Sequence, residues 1–92
     1  MFLVVSYDIV DDKRRTKIAE ILKDYGRRVQ YSVFECSLSE KVIRKMVKEL
    51  LKYVKLEEDS LRLYRLCKEC KDNIERYGIS SSCIDDESPI VI

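Results

Sequence analysis

The sequence predicts a small α+β domain, because short strand-like runs alternate with amphipathic helices. Apolar, β-branched runs of strand length lie at Phe2–Tyr7, Val29–Cys36 and Ser60–Leu66. Between them, apolar residues recur at helical spacing over Asp12–Tyr25 and in a second helix that runs to about Val54. This arrangement predicts a ferredoxin-like βαββαβ sandwich with an extra C-terminal strand.

The βαββαβ order depends on the stretch between the two helices. Counted directly, the elements run β-α-β-α-β-β, since another short strand is predicted over Ile74–Ile79. The segment Arg28–Ser37 is long enough to bend and divide into two short strands, which restores the expected order. Residues 1–79 are therefore assigned to the ferredoxin-like domain, and residues 80–92 to a linker and a C-terminal strand.

Capping residues predict where the helices begin and end. Asp11 and Asp12 open the first helix, and Gly26 ends it in the C-terminal position that glycine favours. Ser37 with Glu40 matches a capping box for the second helix, with Ser37 as the cap. In the strand between the helices, residues 29, 31 and 33 alternate with residues 30, 32 and 34. This alternation predicts an outer face of both polar and apolar side chains that includes position 34.

Composition limits the chemistry that the chain can perform. The 92 residues carry a formal net charge of +1, so any contact with nucleic acid must come from local clusters of Lys and Arg. The absence of histidine removes the usual general base of serine and cysteine hydrolases and of metal-free ribonucleases. A hydrolase built from this chain needs carboxylates and a metal ion. No signal peptide or membrane-spanning run is recognisable, which favours the cytoplasm and no membrane partner.

Asp8 is the carboxylate best placed for such chemistry. It follows the first predicted strand, where a rigid element ends and the backbone turns towards a helix. Aspartate is also common in turns, so the residue type alone favours a structural role. Two interpretations are also open for the basic run Lys13–Lys17 and for the pair Arg27 and Arg28. These residues either form a solvated surface or contact a nucleic-acid backbone.

The four cysteines are expected to stay reduced in the cytoplasm. Cys67 and Cys70 form a Cys-x-x-Cys motif, and Cys36 and Cys83 are the two further thiols that a zinc ion would need. No second Cys-x-x-Cys motif and no histidine accompany them. This favours reduced thiols without a function and keeps zinc as the alternative.

Four segments, taken in order, resemble one known family: Tyr7–Ile9, Asp11–Arg15, Arg28–Glu35 and Ser60–Cys67. They are similar, over nearly the whole chain, to the CRISPR-associated small endonuclease family, the second core protein of spacer acquisition. The resemblance implies a ferredoxin-like homodimer and a Mg²⁺-dependent phosphodiesterase acting on single-stranded RNA or double-stranded DNA. It also implies an adaptor role, in which the dimer bridges two dimers of a CRISPR-associated integrase.

The resemblance further implies roles for individual residues. Asp8 matches the family's metal-binding aspartate and is thereby the expected catalytic residue and Mg²⁺ ligand. Arg15, Arg28 and Phe34 match positions associated with the site, and we expect them to bind nucleic acid. Lys17 stands where some relatives carry a further arginine, so it keeps the charge but not the bidentate phosphate geometry. Phe34 either stacks on a base or is a core or dimer-interface aromatic.

Two functions are left open by these residues. A lone carboxylate is a poor Mg²⁺ site, but a two-fold dimer can bring Asp8 of both protomers to one axis. The first function is therefore a metal-dependent endonuclease that uses Asp8, and the alternative is a non-catalytic, DNA-binding adaptor. A third, an RNA-recognition module of the same fold, is rejected, because Leu61–Arg65 has no glycine and one aromatic residue.

The chain ends in an apolar segment, Pro89–Ile92, after the polar and acidic linker Ser80–Ser88. Proline suits the start of an edge strand, and the three β-branched residues after it suit a sheet. A small open sheet leaves edges that accept another strand. We therefore predict that this tail adds a strand to the partner's sheet and fastens the homodimer.

Overall fold

The computed structural model describes residues 1–75 and 77. In this part of the chain the elements are β1 (Phe2–Asp8), α1 (Asp12–Lys23), β2 (Gly26–Gln30), β3 (Val33–Ser37), α2 (Glu40–Leu51), β4 (Ser60–Leu66) and α3 (Lys68–Asp72). The strands form one sheet in the order β2-β3-β1-β4, and all three neighbouring pairs are antiparallel. The predicted ferredoxin-like βαββαβ arrangement is confirmed.

The predicted division of Arg28–Ser37 into two strands is also confirmed. A turn at Tyr31 and Ser32 separates β2 from β3, and the pairing register shifts between Arg28 and Gln30. The shift and the turn reset the alternation of side chains, so Phe34 faces the core instead of the mixed outer face. Phe34 is 0 % exposed, whereas Tyr31 is 91 % exposed.

Helices α1 and α2 cover one face of the sheet. The fully buried core residues on this face are Leu3, Val5, Phe34 and Cys36 from the strands, with Ile18, Leu22, Ile43, Met46 and Leu50 from the helices. Side chains alternate across a strand, so Phe2, Val4 and Ser6 point to the opposite face. Neither α1 nor α2 covers that second face, which we call the open face.

The predicted cap of the second helix is wrong by two residues. Ser37 is the last residue of β3 and pairs with Phe2, so its backbone stays in the ladder. Ser39 caps α2 instead, and its hydroxyl accepts a hydrogen bond from the Val42 N–H at 3.3 Å. Glu40 forms an ion pair with Arg65 at 2.9 Å and does not complete a capping box with Ser37.

Gly26 opens β2 and does not end α1, which stops at Lys23. A Cβ atom at position 26 would lie 2.2 Å from the carbonyl oxygen of Glu35 and 2.5 Å from Cys36 Sγ. Glycine is therefore required here by the close approach of β3, because any side chain would collide with the neighbouring backbone.

The C-terminal predictions fall largely outside the described residues. Ile74, Glu75 and Tyr77 belong to no strand, so the strand predicted over Ile74–Ile79 is not found at these positions. The boundary at residue 80, the linker and the exchanged strand of residues 89–92 lie beyond the described part. None of the described helices has the length and apolar character needed to cross a membrane.

Candidate active site

An open cavity of about 560 Å³ lies where the end of β1 meets α1 and the turn between β2 and β3. Three residues predicted for the site, Asp8, Arg15 and Arg28, all line it. The other lining residues are Tyr7, Ile9, Thr16, Ala19, Glu20, Lys23, Tyr31 and Ser32. The charged side chains of this Asp8 cavity are thus three cations and two carboxylates, a composition suited to a phosphate ester beside a bound cation.

Asp8 is the last residue of β1, and it is exposed. Its pairing with Ser60 of β4 holds the backbone, while no residue in the described part pairs with its carboxylate. A free carboxylate is a hard oxygen ligand of the kind that Mg²⁺ prefers. Among residues 1–75 and 77, no group of three Asp, Glu, Cys or His side chains could hold a metal ion. Asp8 therefore fits Mg²⁺ as one ligand of a site that other oxygens must complete.

Arg28 reaches the cavity from β2 and rests on a ring. Its Cζ lies 5.4 Å from the ring centroid of Phe34, its register partner on β3. Its Nε is buried and has no hydrogen-bond partner among the described residues. Because the described part supplies Arg28 with an aromatic ring and no carboxylate, the positive charge is not neutralised there and is available to an anionic ligand.

Phe34, which was predicted to bind nucleic acid, lies in the core. The ring is fully buried, and it packs against Tyr7 with 6.3 Å between the ring centroids. A base cannot stack on a ring that the core and Arg28 already cover. Phe34 is therefore a core aromatic residue, the second of the two alternatives, and its ring supports the cavity by positioning Arg28.

Arg15 has two roles at the cavity. Its Nε donates to the Ile9 carbonyl at 3.2 Å and its Nη2 to the Val10 carbonyl at 3.3 Å, while Nη1 pairs with Asp12 at 2.7 Å. These contacts fix the loop that follows Asp8. The side chain remains 45 % exposed, so the guanidinium can still approach a phosphate.

Lys17 does not join the predicted group. It lies two residues after Arg15 on α1, a spacing that turns it to a different side of the helix. Its Nζ lies 5.8 Å from the ring centroid of Tyr53, and it does not line the Asp8 cavity. The structure therefore brings Arg15 and Arg28 to Asp8, but not Lys17.

Asp59, which the sequence analysis did not single out, fastens the loop after β1. Its Oδ1 accepts from the Val10 N–H at 2.9 Å, and its Oδ2 accepts from the Lys55 N–H at 2.8 Å. Arg14 Nη2 donates to both oxygens, at 3.1 and 2.9 Å. We call Asp59 with these three partners the Asp59 clasp. Because it holds the peptide of Val10, the clasp also sets the position of the carbonyls on which Arg15 rests.

The surroundings of Asp59 keep its carboxylate ionised. Burial alone would raise the pKa of this carboxyl, but the hydrogen bonds from Val10 and Lys55 and the charge of Arg14 outweigh it and hold the pKa below its usual value. The sequence shows only that Asp59 lies directly before a predicted strand. The observed pairing of Asp8 with Ser60 is what brings Asp59 beside the loop.

The turn between β2 and β3 is tied to the end of β1. The Tyr7 N–H donates to the Ser32 carbonyl at 3.1 Å, and the Tyr7 hydroxyl lies 3.5 Å from the Tyr31 carbonyl oxygen. The exposed ring of Tyr31 is thereby held at the rim of the Asp8 cavity. Tyr31 and Lys23 are lining residues for which the sequence predicted no role in the site.

Comparisons with known proteins place this arrangement in context. Residues 1–74 match the family model described as CRISPR associated protein Cas2. A relative from Synechocystis sp., named CRISPR-associated endoribonuclease Cas2 3, is 49 % identical over 79 residues, which cover 85 % of this chain and 86 % of the relative. The crystal structure of Streptococcus pyogenes Cas2 is 34 % identical, with a TM-score of 0.77, and the match covers 85 % of this chain and 100 % of that one. A chain of a partial Cas6-RT-Cas1–Cas2 complex is 29 % identical with a TM-score of 0.65, over 82 % of this chain and 88 % of that chain.

Proposed function

This chain belongs to the CRISPR-associated Cas2 family, and we propose that it is a Mg²⁺-dependent endonuclease of spacer acquisition. Its substrate is the phosphodiester backbone of single-stranded RNA or double-stranded DNA, and it acts in the cytoplasm. One observation carries the proposal. Asp8, whose carboxylate pairs with no described residue, lines the same cavity as Arg28, a cation for which the described residues supply no carboxylate.

Asp8, Arg28 and Arg15 each have a different role in this proposal. Asp8 is the residue that would hold Mg²⁺, which when bound lowers the pKa of a water ligand and offsets charge on phosphoryl oxygens. Arg28 binds the phosphate through its planar guanidinium, which matches phosphate oxygens bidentately. Arg15 holds the loop beside Asp8 and adds a second positive charge. The scissile phosphate is thereby positioned next to the metal ligand.

A homodimer supplies what a single chain lacks. Asp8 has the same side-chain parity as Phe2, Val4 and Ser6, so it lies at the end of the open face. A second copy packed on that face about a two-fold axis that passes the end of β1 brings both Asp8 carboxylates to that axis. Two carboxylates, with water and substrate oxygens, meet the usual requirement of a Mg²⁺ site.

Replacing Asp8 with asparagine tests the enzyme. The amide keeps the shape of the side chain but binds hard cations poorly, so Asp8→Asn should lose Mg²⁺-dependent cleavage of RNA and duplex DNA. Asp24→Asn is a matched control, because this change also removes one carboxylate but lies at the end of α1 and outside the Asp8 cavity. Undiminished cleavage by purified Asp8→Asn would remove Asp8 from catalysis.

One observation favours the adaptor as a second candidate function. A structural neighbour of this chain comes from a complex that also contains Cas1. If this protein bridges integrase dimers, Asp8→Asn should still co-elute with the integrase and duplex DNA and should still support spacer integration. Loss of integration together with cleavage would make the nuclease the required function.

A further inference from the structure

Two exposed cysteines meet at the junction of β4 and α3. Cys67 is the N-cap of α3, and the Cys70 N–H donates to its Sγ at 3.4 Å. The two sulfur atoms are themselves 3.4 Å apart, in hydrogen-bond contact. A disulfide bond requires about 2.0 Å between sulfur atoms, so a rotation of the side chains by little more than 1 Å at the sulfur would close it.

Cys67 differs in reactivity from the buried thiol of Cys36. The N–H of Cys70, followed by its thiol, lowers the pKa of Cys67, because both stabilise the thiolate. Cys36 is 2 % exposed, and burial, followed by the charge of Glu35, raises its pKa to about 11. A thiolate at Cys67 is therefore accessible where one at Cys36 is not.

Zinc does not account for this pair within the described part of the chain. Cys36 lies in the core, and no third Cys, His, Asp or Glu side chain among residues 1–75 and 77 joins Cys67 and Cys70 into a metal-binding group. Access to a small molecule is open, since Cys67 lines a cavity of about 570 Å³. This cavity lies at the opposite end of β1 and β4 from Asp8, roughly 20 Å away along a seven-residue strand.

We propose that Cys67 and Cys70 form a reversible dithiol–disulfide site that exchanges with low-molecular-weight disulfides. The Cys67 thiolate attacks one sulfur of the external disulfide, whose S–S bond breaks and releases one thiolate. Cys70 then loses its proton and attacks Cys67 Sγ, which forms the intramolecular bond and expels the second thiolate. The protein gives up two electrons and two protons, and the external disulfide becomes two thiols. The site is separate from the nuclease proposal and does not depend on it.

Peptide mapping of the full chain tests the site directly. The reduced protein is incubated with oxidised glutathione, free thiols are blocked with N-ethylmaleimide, and the protein is digested with trypsin without reductant. Cleavage after Arg65, Lys68 and Lys71 separates the two cysteines into peptides 66–68 and 69–71. We expect these two peptides joined by a disulfide, an intact protein lighter by two hydrogen atoms, and recovery of both thiols with dithiothreitol. Separate, alkylated peptides after the same incubation would overturn the proposal.

Single substitutions assign the order of attack. Cys70→Ser should trap glutathione on Cys67, whose sulfur keeps the hydrogen bond from the N–H of residue 70. Cys67→Ser should react more slowly, because that hydrogen bond, the largest cause that lowers the pKa of Cys67, is lost with the Cys67 sulfur. In the unsubstituted chain the effective concentration of Cys70 is on the order of millimolar or more, so at about 10 μM reduced glutathione the adduct should be resolved at least roughly 100-fold faster than in Cys70→Ser. Cys83→Ser is the control and should leave the joined peptides unchanged. Equal rates for the Cys67 and Cys70 variants, or a stable glutathione adduct on the unsubstituted chain, would contradict the assignment.

Discussion

Replacing Phe34 with leucine tests whether a buried ring positions the main cation of the Asp8 cavity. Phe34 is 0 % exposed, and Arg28 Cζ lies 5.4 Å from its ring centroid. Leucine keeps an apolar side chain in the core but leaves part of the volume of the ring empty, so we expect a packing cost of about 1–1.5 kcal/mol. Loss of the cation–π contact adds roughly 0.5–1 kcal/mol. A total near 2 kcal/mol lowers the Tm of a domain of this size by roughly 8–16 °C.

A double-mutant cycle separates the two contributions. Urea unfolding of Phe34→Leu, Arg28→Gln and the double variant should give a coupling energy of about 0.5–1 kcal/mol. Phe34→Leu combined with Lys17→Gln is the control, because Lys17 lies over Tyr53, and these changes should be additive. A coupling between positions 34 and 28 within about 0.3 kcal/mol of zero would refute the support by the ring.

The same variants distinguish support from base stacking. If Phe34 acts through Arg28, Phe34→Leu should weaken RNA binding in the unsubstituted chain and have no further effect once Arg28 is replaced. A ring that contacted a base would be worth about 1–3 kcal/mol in either background. Fluorescence titration of both backgrounds measures the difference, and equal losses would restore the stacking role.

Three other expectations follow from described contacts. Arg15→Ala with Arg28→Ala should lower the slope of log affinity against log salt by about two for duplex DNA, and an unchanged slope would show that neither arginine touches phosphate. Asp59→Asn should lower the urea midpoint at pH 7. The pKa of Asp59 in the folded state lies below 3.8, so the stability that its carboxylate contributes is present above that pH and is lost as the pH falls through the folded pKa. A difference in urea midpoint between Asp59→Asn and the unsubstituted chain that stayed constant on acidification would contradict this. Gly26→Ala should destabilise the fold by roughly 1–3 kcal/mol, since the Glu35 carbonyl cannot move aside, and an unaltered midpoint would disprove the collision.

Local patterns predicted most of the fold because each element depends on its own residues. The strand that ends at Asp8 forms where the apolar run indicates, and the helix that follows Asp11 begins where its N-cap indicates. The error at Phe34 arose because a period of two was continued through a turn. The turn at residues 31 and 32, with the register shift before it, changes which face each side chain takes. A sequence pattern does not show such a shift unless the turn is located first.

The candidate site was predicted only in part, because some of its contacts join residues that are far apart in the sequence. Asp8 could be found from its place after a strand, and the resemblance to a known family added Arg15 and Arg28. The Asp59 clasp joins residues from distant parts of the chain, and only the pairing of β1 with β4 brings them together. The N-cap of α2 could not be predicted for the same reason. The pairing of Ser37 with Phe2 in the sheet leaves Ser39 as the serine that caps α2.

The Asp59 clasp also determines when the region around Asp8 becomes ordered during synthesis. Its hydrogen bond to Val10 spans 49 residues, and the one to Arg14 spans 45. Contacts of such separation form late, because the intervening chain must first be in place. A nascent chain emerging from the ribosome therefore carries Asp8 and the local contacts of Arg15 early, but the clasp cannot form until β4 has emerged and paired with β1. Prematurely terminated products that end before Asp59 should accordingly lack the clasp and hold the loop beside Asp8 less firmly.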